Sequence, residues 1–201
     1  MQRGEAEQRA TAQGAARDRI LRTAYELFLR NSVSTIGVDR VVAEADVAKT
    51  TLYRHFPSKA DLAVAVLRRH EDVWTRDWLE REIASRASTP AARLLAVFDA
   101  FDEWFRRDDY EGCLFARTLL ETRDPESPVR LAAAAGLANV RKILRGLAEA
   151  AGAVDPDALA VQIQMLLLGA IVEAVYGDRD AATQARSVAA FVLEQNGIRT
   201  T

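Results

Sequence analysis

Between Val33 and Leu62 the chain reads VSTIGVDRVVAEADVAKTTLYRHFPSKADL, and the spacing of its apolar residues admits few arrangements. Val38, Val41, Val42 and Ala45 recur on one helical face, Val47 falls in a break, and Leu52, Tyr53 and Phe56 resume the pattern. The reading is two short helices joined by a tight turn, their apolar faces forming a small core that locks them at a steep angle. Ser58 and Asp61 then read as the cap and acidic third position of a longer helix, a variant capping box.

The rest of the chain is helical in pattern. Ile20, Leu21, Ala24, Leu27 and Phe28 predict a helix over 16–30, closed by Asn31 and Ser32. The helix opened by Ser58 extends to about residue 85. Thr89-Pro90, Ser127-Pro128 and Asp155-Pro156 each set a cap residue before a proline at the first helical position, where its missing N–H costs nothing. Gly152, Gly177 and Gly197 mark helix stops. Shorter helices fit 112–122 and 181–195. The expected fold is all-α, about nine helices, with no sheet. The domain reading is a flexible arm over 1–14, a three-helix helix-turn-helix domain over 15–57, and a helical domain over 58–201.

The second short helix carries Lys49, Thr50, Thr51, Tyr53, Arg54 and His55 and no acid. Residues 1–70 hold 12 Lys/Arg against 8 Asp/Glu, a net of +4; the remainder holds 15 against 21, a net of −6. A basic end suits an anionic partner such as double-stranded DNA. In a helix-turn-helix the first helix braces on the backbone while the second enters the major groove. Lys49 and Arg54 can reach guanine acceptors, and the methyls of Thr50 and Thr51 can meet thymine. Tyr53, His55 and Lys59 suit phosphates, which position without reading sequence. Arg3, Arg9 and Arg17 can add contacts from the arm or remain solvated.

The series Ala45, Val47, Thr51, Leu52, Tyr53, His55, Phe56, Ser58, Lys59 and Leu62 resembles the signature of the N-terminal domain of the TetR family of transcriptional regulators. The resemblance covers roughly residues 16–66. It implies Lys49, Thr50 and Thr51 at or near bases, and Tyr53, His55 and Lys59 on phosphates. Three positions depart from the family pattern. Asp46 stands where the turn usually has Gly. Gly37 replaces a Ser or Thr cap, so a hydroxyl contact to phosphate falls to Thr35. Ala48 replaces the usual Ser before the second helix. Gly112-Cys113-Leu114-Phe115 with Glu121 is similar to a segment of some members.

The remaining helices are expected to sense and to pair. Trp74, Trp78, Phe98, Phe101, Trp104, Phe105 and Phe115, with Met165, are candidates to line an apolar pocket for a small-molecule effector; ordinary core packing is the competing reading. The segment 156–176 is apolar nearly all round, so one face should meet the core and the other a twofold partner. Ile163, Leu166, Leu167, Ala170 and Ala174, with Ala189 and Leu193 of the last helix, are the expected homodimer interface. The resemblance implies that the last two helices complete a four-helix bundle across it.

Several classes find no support in the sequence. With two His and one Cys there is no metal-spaced cluster, and neither a P-loop, a GxGxxG nor a nucleophile elbow occurs. No catalytic residue, metal or cofactor is assigned. Cys113 alone permits no intrachain disulfide and fits a reducing, cytoplasmic setting. The N-terminal residues lack the apolar core of a secretory signal. The longest apolar run, Met165–Val172, is short of a bilayer span, so no membrane partner is expected. The functional expectation is a homodimeric repressor released from a palindromic operator by an apolar small molecule. The alternative is a helical module that binds protein and not DNA.

Overall fold

The computed structural model describes residues 2–199, with side chains from Gly14 onward. Ten α-helices follow in chain order: α1 (Gln2–Arg30), α2 (Val38–Ala45), α3 (Lys49–His55), α4 (Lys59–His70), α5 (Glu80–Arg86), α6 (Pro90–Phe105), α7 (Leu114–Glu121), α8 (Pro128–Ala150), α9 (Pro156–Tyr176) and α10 (Ala181–Gln195). A π-helical segment, Glu71–Leu79, joins α4 to α5 without a break, so 59–86 is the single long helix expected from Ser58. No strand occurs among the described residues. The arm expected over 1–14 lies, but for Gly14, outside the described side chains; its backbone from Gln2 begins α1.

Two compact units emerge, and the chain enters the first twice. One unit comprises the chain up to His70 together with Arg117–Ala133; the other comprises Glu71–Ala116 and the chain from Ala134. The expected boundary at residue 57 is thus displaced to His70. The reason is burial: Leu62, Ala63, Val66 and Leu67 of α4 pack against α1 and belong to the first core.

In the first unit Ile20, Ala24 and Phe28 of α1 meet Val41 and Ala45 of α2, Leu52 of α3, and Leu62 and Val66 of α4. Each such large apolar side chain contributes about 1.5–3 kcal/mol when buried. Ser58 caps α4 as the sequence implied: its Oγ accepts from the Asp61 N–H (3.1 Å) and donates to Asp61 Oδ2 (2.7 Å). Asp46 ends α2 in the left-handed region, φ +50° and ψ +58°. Aspartate is among the non-glycine residues that tolerate this conformation, so the turn forms without glycine.

His70 is buried between α4 and α1, its Nδ1 3.0 Å from the Tyr25 hydroxyl. Burial, and then the positive charge of Arg117, push its pKa down to about 3. The unfolded value is near 6.5. The unfolded chain therefore binds the proton more tightly, and the neutral form's stabilisation is complete above about pH 6.5. Stability should fall as pH drops from there toward 3, by up to ~1.4 kcal/mol per pH unit. Urea melts across this range should show that slope, and His70→Gln should flatten it.

In the second unit α6 buries Leu94, Val97, Phe98, Phe101 and Phe105 and packs on α5 and α10, while α10 packs along α9. Both capped starts behave as expected: Thr89 Oγ1 accepts from the Ala92 N–H (3.2 Å), and Asp155 Oδ1 from the Ala158 N–H (2.9 Å). Gly177 stops α9 at φ +124°, a conformation open to glycine. By length and composition alone α9 could cross a bilayer, a test that core helices also pass. It serves as a core helix instead, with Leu159, Ala160, Ile163 and Leu167 at most 2% exposed.

Gly136 of α8 lies against the Phe115 ring, and a Cβ there would meet ring carbons well inside contact distance. Phe115 is itself buried and cannot yield. Gly to Ala inside a helix ordinarily adds stability. Here Gly136→Ala should cost about 1–3 kcal/mol by overpacking, measurable as a lower urea midpoint.

Candidate nucleic-acid interface

α3 is seven residues long and has one fully buried side chain, Leu52. Leu52 and the following Phe56 face the core, which turns Lys49, Thr50, Tyr53 and Arg54 to solvent on the opposite side. Thr51 and His55 sit at the edges, half-buried. The exposed set therefore lies at i, i+1, i+4 and i+5, one continuous face of two cations, a hydroxyl with a methyl, and a phenol. Tyr53 is 42% exposed, more than a core tyrosine would be.

Neighbouring elements fix this face. Ala48 precedes α3 in extended conformation with no side-chain cap, as does Gly37 before α2. Gly37 thus offers backbone only. The Thr35 hydroxyl, the expected substitute, donates to Ser32 O (2.9 Å) and closes the turn after α1. Lys59 Nζ donates to Ser34 O (3.1 Å), and partial burial lowers its pKa. The guanidinium of Arg17 lies 5.4 Å from the Phe56 ring centroid and braces the end of α3. Arg3 and Arg9 lie outside the described side chains.

Two participants escape a reading by local pattern. Asp39 of α2 places Oδ1 2.6 Å from Lys49 Nζ, so the leading cation of α3 is already paired. Arg117 of α7 sends Nη2 to Phe28 O (2.6 Å) and Leu29 O (2.8 Å), closing the C-terminus of α1. Asp39 was visible as an acid in the first turn of α2; its reach to Lys49 was not. Nothing in the sequence ties Arg117 to α1.

The expected effector residues come together, but around almost no space. Trp74, Trp78 and Trp104 pack with centroids 5.2–6.0 Å apart, and Phe101 stands edge-on to Trp74 at 5.8 Å. Phe105 joins through Phe101 (5.8 Å), while Phe98 and Phe115 are fully buried. The cavity lined by Trp74, Phe101, Phe115 and Gln164 is about 20 Å³, room for one water. Gln164 is satisfied: it accepts from Arg141 Nε (2.6 Å) and donates to Leu137 O (2.7 Å). Met165 does not join them; at 60% exposure it faces outward.

The expected dimer residues are largely buried within the single chain. Ile163, Leu167, Ala170, Ala174, Ala189 and Leu193 are 0–4% exposed within one chain, and Leu166 is half-buried. They are committed to the intrachain contact of α9 with α10 and the core behind it. The free apolar surface of these helices is the opposite one: Met165, Val172 (64%), Tyr176 (89%), Val188 (50%) and Phe191 (61%).

A short exposed basic helix, backed by a second helix across a left-handed turn, is the geometry of a helix-turn-helix nucleic-acid reader, here in an all-helical protein. Residues 20–66 match the family model of bacterial regulatory proteins of the tetR family, and residues 90–189 match the tetracyclin repressor-like C-terminal domain. The chain belongs to the TetR family, whose members are transcriptional regulators and not enzymes.

The HTH-type transcriptional activator FasR of Mycolicibacterium smegmatis is 33% identical over 92 residues, 46% of this chain and 41% of that protein. The HTH-type transcriptional regulator QacR of Staphylococcus aureus is 29% identical over 72 residues, 36% of this chain and 38% of that one. The matches thus span less than half the length of these curated relatives. Among solved structures, a TetR regulator from Streptomyces avermitilis superposes with a TM-score of 0.82 at 28% identity, covering 92% of this chain and 99% of the other. One from Streptomyces coelicolor gives 0.80 at 26% identity, covering 91% and 96%.

Proposed function

We propose that the protein is a homodimeric, DNA-binding transcriptional repressor of the cytoplasm, released from a palindromic operator by an apolar small molecule. The observation that carries this reading is the exposed α3 face of Lys49, Thr50, Tyr53 and Arg54 over buried Leu52 and Phe56. Lys49, Thr50, Thr51 and Arg54 meet base edges; Tyr53, His55, Lys59 and the backbone at Gly37 meet phosphates.

Pairing is supported by the apolar outer face of α9 and α10. Burying ~800 Å² per subunit there would make an interface of ordinary size. The dimer sets two α3 helices ~34–36 Å apart, one turn of DNA. The effector enters among Trp74, Trp78, Phe101 and Trp104 by parting rings that now touch, so binding must reorganise this cluster. A ligand that favours one helix spacing by ~1–3 kcal/mol would suffice for release.

Selection of bound sites from random duplexes tests the reading. It should return a two-half-site sequence, bound with an affinity that falls steeply with salt. Recovery of no sequence, with salt-independent capture of proteins only, would favour the protein-interaction alternative. A site that lies upstream of a promoter and raises transcription would assign activation, the direction named for the FasR relative.

A further inference from the structure

We propose that Asp39 attenuates the reading head: it holds Lys49 in an intrachain ion pair that DNA must break before Lys49 can bind it. The inference rests on the DNA-binding reading above.

The pair is close, with Asp39 Oδ1 2.6 Å from Lys49 Nζ, yet it lies in the open, with side-chain exposures of 81% and 54%. Exposed pairs of this kind add little to stability, so folding does not explain it. Its placement does more. Lys49 opens α3, and a cation at a helix N-terminus opposes the helix dipole. Asp39 sits in the first turn of α2, where a phosphate would otherwise be welcomed by free backbone N–H groups. A carboxylate there repels that phosphate and neutralises the nearest lysine in one stroke. The neighbouring ions do not compete, because Arg40 is held by Glu44 at 2.8 Å on its own helix.

The consequence differs between sequences. On random DNA, Lys49 can gain only a phosphate contact, and leaving Asp39 for it yields nothing net. On a site presenting guanine at the right position, Lys49 gains the O6 and N7 acceptors, which offset the lost pair. Asp39 therefore weakens binding on both, by the forgone phosphate contact on random DNA and by the broken pair at the selected site.

The test compares wild type, Asp39→Asn, Lys49→Ala and the double variant on a random-sequence duplex and on the duplex that wild type selects, across a salt series. Asp39→Asn should tighten random-duplex binding about five- to tenfold and steepen its log–log salt slope by about 0.9, one added phosphate contact. Affinity for the selected duplex should rise at least as much, because there the wild type loses the pair, so the specificity ratio should not fall. In the Lys49→Ala background the same change should have a smaller effect, the relief of phosphate repulsion alone, with no added contact in the salt slope. Unchanged random-duplex affinity and slope in Asp39→Asn, with wild type binding normally, overturn the inference alone. Failure of wild type to bind any duplex overturns the DNA-binding reading with it.

Discussion

The double variant Val172→Asp, Phe191→Asp is expected to be a folded monomer whose affinity for a two-half-site operator is lower by about 100-fold or more. Both side chains are more than 60% exposed in the single chain, so neither change touches its core. In a twofold interface each substitution appears twice, and like charges would face one another across a surface that depends on excluding water. Two linked reading heads bind with the benefit of effective concentration; a lone head loses it. Light scattering should report one chain mass, thermal melting should show a cooperative transition, and titration with operator DNA should show the loss. The same charge at Ile163 or Leu193, both fully buried, should unfold the chain instead. A dimer that survives the outer-face variant would refute this assignment of the interface.

Arg117→Ala should destabilise the first unit by about 2–4 kcal/mol and reduce DNA affinity with it. The last carbonyls of a helix have no partner within the helix. At the end of α1 Arg117 supplies one, donating to Phe28 O and Leu29 O from a half-buried position. Hydrogen bonds from a charged donor contribute about 1.5–3 kcal/mol each, and a cation at a helix C-terminus is further favoured by the dipole. Arg117→Lys should recover part of the loss, since an ammonium lacks the planar fork. The Ala variant also removes a positive charge that holds the His70 pKa down, so the acid-induced loss of stability should become shallower. Urea melts at neutral and acidic pH measure both effects.

What could be read in advance was local. Ser58 with Asp61, Thr89-Pro90 and Asp155-Pro156 act within a few residues, and the helices they open start where the pattern placed them. The limits of α10, and the tolerance of Asp46 for a left-handed turn, are likewise properties of a short stretch. The exposure of Lys49, Thr50 and Arg54 on α3 followed because Leu52 and Phe56 leave one orientation, whereas Tyr53, grouped with the apolar residues, is exposed. What the sequence leaves open has a different origin. A helix apolar on all sides, such as α9, does not say which side is inward; Ile163 and Met165 look alike in sequence and face opposite ways. Aromatics at helical spacing cannot reveal whether they enclose a space or fill it. The π-helical turn at Glu71–Leu79 breaks the 3.6-residue period on which such readings depend. Asp39 with Lys49, and Arg117 with Phe28, are meetings across the fold that no window of sequence contains.

The route of the chain through its first unit also bears on how the protein is made. Arg117 follows its partner Phe28 by 89 residues. At ~5–20 residues per second, a ribosome needs roughly 4–18 s after Phe28 before Arg117 exists. In the later part of that interval, once Lys59 has been added, every residue of the reading face has been synthesised, yet α1 lacks its closing cation. A regulator captured mid-translation would thus carry the letters of its DNA contact without the brace that holds them. The order of synthesis itself thus delays completion of the first unit until Arg117 is made.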